Sequence, residues 1–324
     1  MAVLLVSFQD RVRPSGYARP IVNKKNDSAR TDSVAPRPLG IVTVTYSPGP
    51  YLESLIESVA QATSRPTRII AADNGSTDGA PQAAAAAHSN VEFLDTGGNI
   101  GYGGAMNAGE RFLSEHGQAD PEFLLLVNPD VTFGPGSIDA LIDCAKRWPR
   151  AGSVGPRIVE PDGKNYPSAR ALPNLKNGIG HALLGSVWPG NPFSRAYRDD
   201  ADMSMQRPAG WLSGSCLLVR REAFSQVGGF DERYFMYLED VDLGDRLARA
   251  GWHNVFCPEA AITHAQGHST KVHAGPMLRA HHASAYQYLA DRHPQWWQAP
   301  LRAALWLGLR LRALLTSYRA RLSR

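Results

Sequence analysis

The feature that most constrains the fold is an alternation of short apolar segments with helical ones between residues 41 and 127. The apolar segments are dominated by Ile, Val, Leu and Ala, which is typical of strands buried on both faces. Four segments are predicted as strands: residues 41–46, 68–72, 91–94 and 123–127. Helices are predicted between them at residues 51–62, at residues 81–88 and from about residue 103. This order predicts an α/β fold with a Rossmann-like, mostly parallel sheet that carries helices on both faces.

Composition limits the classes of protein to which the chain can belong. Hydrophobic residues make up 43% of the 324 residues, which suffices for a sizeable core and excludes a disordered or fibrous protein. Cys144, Cys216 and Cys257 are far apart, so they indicate neither a disulfide scaffold nor a zinc site and fit a reducing compartment. The net charge of +4 is concentrated at one end, because no acidic residue follows Asp291. An anionic surface is therefore expected to contact the C-terminal segment.

The two ends of the chain differ from its centre. Residues 9–38 are rich in Arg, Pro, Ser, Asn and Asp, and we predict a flexible leader over residues 1–38. The opening MAVLLVSF has no preceding basic region and no small-residue cleavage site, so it does not indicate a secretory signal. No stretch reaches the roughly 18 apolar residues of a membrane-spanning helix. We expect a cytoplasmic protein, peripheral on the inner face of the plasma membrane, with a main domain over residues 39–280 and a helical segment over residues 281–324.

Polar residues gather where the predicted strands end, which is the edge at which open parallel sheets bind ligands. The first strand ends at Thr45 and Tyr46, and the second is followed by Asp73, Asn74 and Ser76. A carboxylate at Asp73 could accept the imide N–H of a pyrimidine base, and the N-terminus of the next helix could assist a phosphate. Each cluster alone also suits an ordinary turn. Their succession on neighbouring strands favours a nucleotide site.

A glycine-rich turn, NIGYGGAMN, opens the third predicted helix at residues 99–107. Glycines at 101 and 103 would let the backbone approach a pyrophosphate, and an amide at position 107 could bond a sugar or a phosphate. The spacing matches neither a dinucleotide-binding fingerprint nor a P-loop, and a structural turn is the alternative. The residues predicted to contact a nucleotide sugar here are Asn99, Gly101, Gly103 and Asn107.

Two further motifs carry carboxylates. Asn128-Pro129-Asp130 directly follows an apolar strand, so Asp130 could hold Mg²⁺ or Mn²⁺ with positions left open for diphosphate oxygens, although the tripeptide would also make a good turn. Glu239 and Asp240 follow an aromatic run, where a raised pKa would suit a general base, and helix capping is the alternative. His264 ends a β-branched run and could complete a metal site or be structural.

Over about residues 40–275 the chain resembles the inverting family-2 glycosyltransferases of the GT-A fold. Its segments in order are TVTYSPG, ADNGSTDG, NIGYGGAMN, LLLVNPD, WLSGSCLLVRR, GGFDERYFMYLEDVDL and ITHAQGHS. The sixth segment looks like the rhamnosyltransferase branch. Within that branch, the chain most resembles the members that transfer rhamnose from dTDP-rhamnose to N-acetylglucosamine on a polyprenyl diphosphate, in the synthesis of a cell-wall linker. The resemblance implies a GT-A fold, a dTDP-sugar donor and a polyprenyl-diphosphate-linked sugar acceptor.

The resemblance also assigns roles to single residues. It implies that Asp73 contacts the base, that Thr45 and Tyr46 line the nucleoside pocket, and that Asp130 and His264 bind the divalent cation. Asn128 stands where many relatives have the first aspartate of the DxD element. Asp240 matches the base that takes the proton of the acceptor hydroxyl in a single inverting displacement. The residues implied to face the acceptor are Trp211, Ser213, Gly214 and Ser215.

The C-terminal segment predicts a basic amphipathic helix. Its apolar face comprises Leu307, Leu311, Leu314, Leu315, Tyr318 and Leu322, and the tryptophans near it are Trp296, Trp297 and Trp306. Arginines lie largely away from that face: Arg302, Arg310, Arg321 and Arg324. Such a helix would lie on an anionic membrane surface and bring the site to a lipid-linked substrate. The alternatives are packing on the catalytic domain or a dimer interface, so a homo-oligomer is among the predicted partners.

Other functions fit parts of the sequence. The same fold could take UDP-galactofuranose or UDP-N-acetylglucosamine as donor. A nucleotidyltransferase would share the sheet and the metal aspartate, but the first strand end, TVTYSPGP, lacks the basic residues that its phosphate loop requires. A non-catalytic membrane scaffold is disfavoured by the presence of Asp130, Glu239 and Asp240. No nucleic-acid partner is expected, because the basic residues alternate with leucines on a helix.

Overall fold

Strands and helices alternate through the first third of the protein. A computed structural model describes residues 37–117, 119–173, 203–265 and 274–322, with side chains described from 280 to 311 in the last range. The first elements are β1 (Leu39–Thr45), α1 (Tyr51–Ala62), β2 (Thr67–Asp73), α2 (Ala80–Ala87), β3 (Val91–Asp95), α3 (Gly101–Glu115) and β4 (Phe123–Val127). All seven were predicted from the sequence, to within two residues at the ends that were predicted. Residues 1–36, and with them most of the predicted leader, lie outside the described residues.

The elements that follow alternate less regularly. They are β5 (Val131–Phe133), α4 (Ser137–Arg147), β6 (Ala151–Val159), β7 (Asn165–Tyr166), β8 (Ala169–Arg170), β9 (Arg207–Ala209), β10 (Trp211–Leu212), β11 (Cys216–Arg220), α5 (Arg221–Gln226), α6 (Glu239–Arg249) and β12 (His253–His264). Residues 164–210 were predicted as long loops. Their described part contains the short strands β7, β8 and β9, and residues 174–202 lie outside it.

The central sheet has the strand order β3-β2-β1-β4-β11-β6-β12-β5. β3, β2, β1 and β4 are parallel, and their register sets Thr45 beside Asp73. β11 runs antiparallel to both β4 and β6, so its first residues meet the carboxyl end of β4. The predicted α/β class with a mostly parallel sheet is confirmed. The antiparallel strand β11 brings a second group of loops to the edge where the parallel strands end.

Both faces of the sheet are covered, which explains why its central strands are apolar throughout. One face packs against α1 and α4, with Leu52 and Leu141 fully buried, and the other packs against α3, α5 and α6. α3 approaches β1 closely, because an added Cβ on Gly109 would lie 2.4 Å from Val42 Cγ1. Helices on both faces were predicted from the same apolar runs.

Two helices follow the sheet: α7 (Ala274–Asp291) and α8 (Ala299–Leu322), separated by a short 3₁₀ helix (Trp296–Gln298). Two contacts join α7 to the segment around α6. Arg292, just after α7, pairs with Asp245 of α6. The Ser284 hydroxyl of α7 donates a 2.8 Å hydrogen bond to the Met236 carbonyl. α8 packs against α7. The predicted boundary between residues 280 and 281 therefore falls inside α7. None of the described helices is both long enough and apolar enough to span a membrane.

Candidate active site

The donor edge of the site is formed where β1 and β2 end side by side. The Thr45 hydroxyl donates a 2.7 Å hydrogen bond to Asp73 Oδ1. Asp73 Oδ2 accepts from the backbone N–H groups of Gly75 and Ser76, at 3.2 and 2.9 Å, and Oδ1 also accepts from the Ser76 hydroxyl. These donors use the roughly four acceptor positions of a carboxylate. Asp73 therefore fixes the loop after β2, and its direct contact with a base stays a prediction.

The turn after β1 is tied to the same loop. The Ser47 N–H donates to Ser76 Oγ over 2.7 Å, and the Thr77 N–H donates to Ser47 Oγ over 3.0 Å. Ser47 has a φ of 52°, in the left-handed region that non-glycine residues rarely adopt. Tyr46, between β1 and this turn, is 49% exposed. Its ring is accessible to a planar ligand, which is compatible with the predicted nucleoside pocket.

The glycine-rich turn connects the donor edge to residues 234–238, here called the aromatic loop. Asn74 Nδ2 donates to the Gly101 carbonyl at 3.1 Å, and the Tyr102 N–H donates to the Phe235 carbonyl at 3.1 Å. Gly101 has a φ of +82°, and an added Cβ there would lie 2.5 Å from the Phe235 carbonyl oxygen. The close approach of the Gly101 and Phe235 backbones therefore explains why position 101 requires glycine.

Substitution of Gly101 by alanine is expected to lower the free energy of unfolding by about 3 kcal/mol, because left-handed strain and a backbone clash add up. Gly117 is the matched control. Its φ is +60° but no atom lies within 4 Å of an added Cβ, so Gly117→Ala should cost only about 1 kcal/mol. Urea unfolding of both variants measures the difference. Equal losses would contradict the contact with Phe235.

The other predicted residues of this turn make contacts inside the protein. Asn99 Oδ1 accepts from the Gly101 N–H at 3.2 Å. An added Cβ on Gly103 would lie 2.8 Å from Phe230 Cβ. The Asn107 carboxamide exchanges two 2.9 Å hydrogen bonds with the backbone of Phe230. These contacts hold α3 against the segment before the aromatic loop, and contact with the donor stays a prediction.

The two residues predicted to bind metal, Asp130 and His264, come together although they lie 134 positions apart in the sequence. β12 pairs antiparallel with β5, which sets His264 opposite Val131 and so beside Asp130. His264 Nε2 lies 3.0 Å from Asp130 Oδ1 and 3.5 Å from Asn128 Nδ2. Within the described residues there is no group of three or more His, Cys, Asp or Glu side chains that could hold a metal ion. Asp130 and His264 are therefore a pair of candidate ligands among the described residues.

The predicted acceptor residues form a turn between β10 and β11, here called the serine turn (residues 213–215). The Asn128 N–H donates to the Ser215 carbonyl at 2.9 Å, so the turn adjoins the end of β4. The Ser213 and Ser215 hydroxyls lie 3.0 Å apart. The Gly214 carbonyl accepts a 2.6 Å hydrogen bond from the Tyr102 hydroxyl. The serine turn therefore contacts both Asn128, at the end of β4, and the glycine-rich turn.

Asp240 faces the serine turn. Its Oδ2 accepts from the Gly214 N–H at 2.9 Å, and its Oδ1 accepts from the Val241 N–H at 2.8 Å. An added Cβ on Gly214 would lie 3.3 Å from Asp240 Cβ, so little space separates the two residues. Burial raises the pKa of Asp240, although the two N–H groups oppose the shift. A half-buried carboxylate with a raised pKa beside the serine turn suits a general base.

Glu239 adjoins Asp240 but is more deeply buried, at 8% exposure. Its Oε2 has no hydrogen-bond partner among the described residues. Burial, and next the charge of Asp240, raise the pKa of Glu239. Two carboxyl groups this close ionise as a coupled pair. Perturbed acids of this kind are concentrated at functional sites.

The backbone before these carboxylates is strained. Tyr237 and Leu238 have φ values of 69° and 63°, so two consecutive side-chain-bearing residues adopt the left-handed conformation. Strain of this kind costs of order 1–3 kcal/mol per residue and persists where surrounding contacts enforce it. The bond from Ser284 of α7 to the neighbouring Met236 carbonyl is one such contact. Helix α7 therefore helps to stabilise the aromatic loop, which leads to Asp240.

Two residues of the site were not singled out from the sequence. Tyr102 lies inside the quoted NIGYGGAMN segment, and only its bond to Gly214 reveals its place. Arg170 on β8 is paired with Trp211 on β10, and its guanidinium carbon lies 5.4 and 5.8 Å from the ring centroids of Tyr166 and Trp211. Trp211 Nε1 donates to the Ala171 carbonyl at 3.1 Å. The stretch around Arg170 has no periodicity that could have marked it.

The sheet order and the loops at the carboxyl ends of its parallel strands are those of the GT-A fold, the fold of a class of glycosyltransferases. More narrowly, the chain belongs to glycosyl transferase family 2. The model of Glycosyl transferase family 2 matches residues 40–228, and that of Glycosyl transferase family group 2 matches residues 194–321. The chain is therefore an enzyme that transfers a sugar. The nucleotidyltransferase alternative is set aside.

Similar proteins agree with this assignment. The chain is 56% identical, over 85% of its length and 91% of the relative, to N-acetylglucosaminyl-diphospho-decaprenol L-rhamnosyltransferase of Mycobacterium tuberculosis strain H37Rv. It is 28% identical to rhamnosyltransferase WbbL of Escherichia coli strain K12, over 78% of this chain and 92% of that protein. The solved mannosyltransferase PcManGT from Pyrobaculum calidifontis, in complex with GDP-Man and Mn²⁺, shares the fold. It has a TM-score of 0.52 and 15% identity, over 90% of this chain and 82% of that one.

Proposed function

We propose that the protein transfers L-rhamnose from dTDP-rhamnose to N-acetylglucosaminyl-diphospho-polyprenol, with inversion at the anomeric carbon. The observation that carries this proposal is the 56% identity to the mycobacterial L-rhamnosyltransferase over 85% of the chain. The match also covers 91% of the length of that relative. The contacts of Asp240 with the serine turn supply the base that an inverting transfer requires.

The chemical step follows from the two sides of the site. The donor would lie over the ends of β1, β2 and β4, with its nucleoside near Tyr46 and Thr45 and its diphosphate toward Asp130. The acceptor would enter along the serine turn and Trp211. Asp240 then takes the proton of the acceptor hydroxyl as that oxygen attacks the anomeric carbon opposite the leaving diphosphate. One displacement inverts the configuration, so no nucleophile on the enzyme is needed.

Asp130 and His264 fit a divalent cation, Mg²⁺ or Mn²⁺, as a two-residue set. A carboxylate oxygen and an imidazole nitrogen 3.0 Å apart offer the ligand types that such ions accept from proteins. Asn128 beside them adds an amide and no charge. When bound, the cation would supply positive charge that stabilises the leaving diphosphate. The PcManGT structure in complex with GDP-Man and Mn²⁺ supports a divalent cation in this fold.

The test is product formation from dTDP-rhamnose and a lipid-diphospho-N-acetylglucosamine acceptor, with Mg²⁺, with Mn²⁺ and with chelator. Rhamnose transfer with inverted configuration, read by mass spectrometry and NMR, is the expected result. UDP-galactofuranose and UDP-N-acetylglucosamine serve as competing donors. Transfer from a UDP-sugar but not from dTDP-rhamnose would retain the fold and mechanism and reject the rhamnose assignment.

The exposed tryptophans support a peripheral membrane location at the cytoplasmic face. Trp296 and Trp297 in the 3₁₀ helix are 84% and 62% exposed. Trp306, Leu307 and Leu311 on α8 are also exposed, and Arg310 stacks on Trp306 at 4.4 Å. Exposed tryptophans with neighbouring arginines are typical of surfaces that insert into an anionic headgroup layer. Side chains beyond residue 311, including Leu314, Leu315, Tyr318, Leu322, Arg321 and Arg324, lie outside the described residues.

Replacing Trp296 and Trp297 together by serine is expected to weaken binding to phosphatidylglycerol-containing vesicles about tenfold or more, because two large interfacial side chains are lost. Vesicle flotation measures the bound fraction. Met205→Ser is the control, since Met205 is a large exposed side chain of the catalytic half. Unchanged flotation of the double variant would reject this surface, and a dimer detected by sedimentation would favour a subunit interface.

A further inference from the structure

The guanidinium of Arg170, near the serine turn, lies close to two aromatic rings. Arg170 lies on β8, directly opposite Trp211 of β10 in a two-stranded ribbon. The Tyr166 and Trp211 rings both lie within 6 Å of its guanidinium carbon. Aromatic rings at this distance attract a guanidinium and limit its motion, so less conformational entropy is lost when it binds a ligand.

Only part of the Arg170 guanidinium is bonded to other described residues. Its Nε donates a 2.8 Å hydrogen bond to the Pro167 carbonyl. The two terminal nitrogens of Arg170 make no hydrogen bond with other described residues, and no carboxylate among them forms an ion pair with it. These terminal N–H groups form the planar fork that recognises phosphate oxygens. Arg170 therefore combines a restricted position with N–H donors that no described residue uses, which is the combination that an anion site needs.

The position of Arg170 relates it to the catalytic base. Its positive charge lowers the pKa of Asp240, and the pKa of Tyr166 responds to both charges, so the three groups lie within electrostatic reach of one another. Trp211 connects Arg170 along β10 to the serine turn, which contacts Asp240 through Gly214. Arg170 thus lies near both the serine turn and Asp240.

The chemistry of the acceptor requires a cation in this region. In a diphosphate-linked acceptor the diphosphate is attached to the same sugar whose hydroxyl meets the base. It must therefore come to rest about one sugar ring from Asp240. The carboxylates of Asp240 and Asp130 give the surroundings negative charge, which would repel a second diphosphate unless a positive group faced it.

We propose that Arg170 binds the diphosphate of the acceptor. This inference rests on the proposed function, because it presupposes a diphosphate-linked sugar as acceptor. Arg170 is accordingly a binding residue that selects acceptors by their charge. It also turns the acceptor sugar so that its hydroxyl reaches Asp240, while the donor is bound without it.

The test compares a lipid-diphospho-N-acetylglucosamine acceptor with an uncharged alkyl glycoside of N-acetylglucosamine, at a pH on the activity plateau. Arg170→Gln should raise the KM for the diphosphate acceptor about 10- to 100-fold, the equivalent of one charge-assisted hydrogen-bond contact. The KM for dTDP-rhamnose and kcat/KM for the alkyl glycoside should change less than about twofold. Arg170→Lys, which keeps the charge without the fork, should recover part of the loss.

A direct readout is inhibition by farnesyl diphosphate, which should compete with the acceptor in the wild type and much less in Arg170→Gln. Arg150→Gln is the matched control. Arg150 also stacks on a tryptophan, Trp252 at 5.6 Å, but lies before β6 at the opposite edge of the sheet. Arg150→Gln should leave the kinetic constants for both acceptors and the inhibition by farnesyl diphosphate unchanged.

The outcomes separate the two proposals. Equal losses with the charged and uncharged acceptors would overturn the diphosphate contact and make Arg170 a structural residue of the ribbon. Rhamnose transfer by the wild type, with an unchanged diphosphate-acceptor KM in Arg170→Gln, would overturn this inference alone. Absence of transfer from the wild type to any diphosphate-linked sugar would overturn the proposed function and this inference with it.

Discussion

Substitution of Asp240 by asparagine is expected to lower kcat for sugar transfer about 10³-fold, the usual loss when a positioned general base is removed. Asparagine keeps the shape of the side chain and one carbonyl oxygen that can accept the Gly214 N–H. The serine turn and the fold should therefore persist, and KM for the donor should change little. Rates with saturating donor and acceptor, together with thermal unfolding, measure both effects.

The matched control is Asp242→Asn on the same helix. Asp242 pairs with Arg246 at 2.6 Å and with Arg292 at 3.6 Å, and has no hydrogen bond to the serine turn. Because Arg292 keeps its pair with Asp245, this change should lower stability and leave kcat nearly intact. The two variants are therefore expected to have opposite profiles. Full activity of Asp240→Asn would mean that another group, with Glu239 the first to examine, accepts the proton.

The same base predicts the pH dependence of transfer. Asp240 works only when ionised, so kcat should be constant above its raised pKa and fall about tenfold per pH unit below it. The charged and titratable groups that influence or share its surroundings are Glu239, Tyr102, Tyr166 and Arg170. A rate that stays constant down to the ordinary range of an exposed aspartate would contradict this environment.

Stability should respond to pH in the opposite sense. The pKa of Glu239 is higher in the folded protein than in the unfolded chain, so folding binds its proton more tightly. The contribution of this carboxyl to stability is therefore full at low pH and is lost as pH rises through the raised pKa. Glu239→Gln should remove that slope from the pH dependence of the unfolding free energy.

Substitution of Asp130 by asparagine should lower kcat/KM for the donor at least about 100-fold. It removes the negative charge that would hold a cation against the diphosphate, while its size is kept. Calorimetry of dTDP binding gives a second readout. Mn²⁺ should strengthen dTDP binding to the wild type and have little effect on the variant.

Asp162→Asn is the control for this change, since Asp162 pairs with Lys164 on the hairpin between β6 and β7. It should leave the Mn²⁺ effect as in the wild type. Wild-type activity and dTDP binding that are both insensitive to chelator would remove the cation from the mechanism. The role of Asp130 would then be limited to its contact with His264.

The parallel half of the fold could be predicted because its signal is local. β1, β2 and β4 are buried on both faces, so their apolar runs are visible in the sequence, and their carboxyl ends mark the edge of the site. β6, with the sequence AGSVGPRIV, contains glycine, proline and arginine and shows no such run. β12 shifts register between Cys257 and Ala261, which hides its period and explains why only its last residues were recognised.

The roles inside the site depend on contacts that no local pattern contains. Gly101 and Gly103 suggested a phosphate loop, yet their neighbours in the structure are Phe235 and Phe230. Asn107 suggested a sugar contact, but its carboxamide is bonded to the Phe230 backbone. These partners lie more than 120 residues away along the chain. Arg170 was missed for a different reason: the stretch around it has no periodicity that marks a strand, although it lies on β8 opposite Trp211.

The attachment of α7 to the aromatic loop decides how the enzyme can be shortened for crystallisation or assay. Deleting the chain from Ala299 onward would remove α8 and much of its exposed apolar surface. The Arg292–Asp245 pair and the Ser284–Met236 bond would remain. A cut at the predicted boundary after residue 280 would remove both contacts and release the strained turn before Asp240. The first version should keep Asp240 in place, and the second should not.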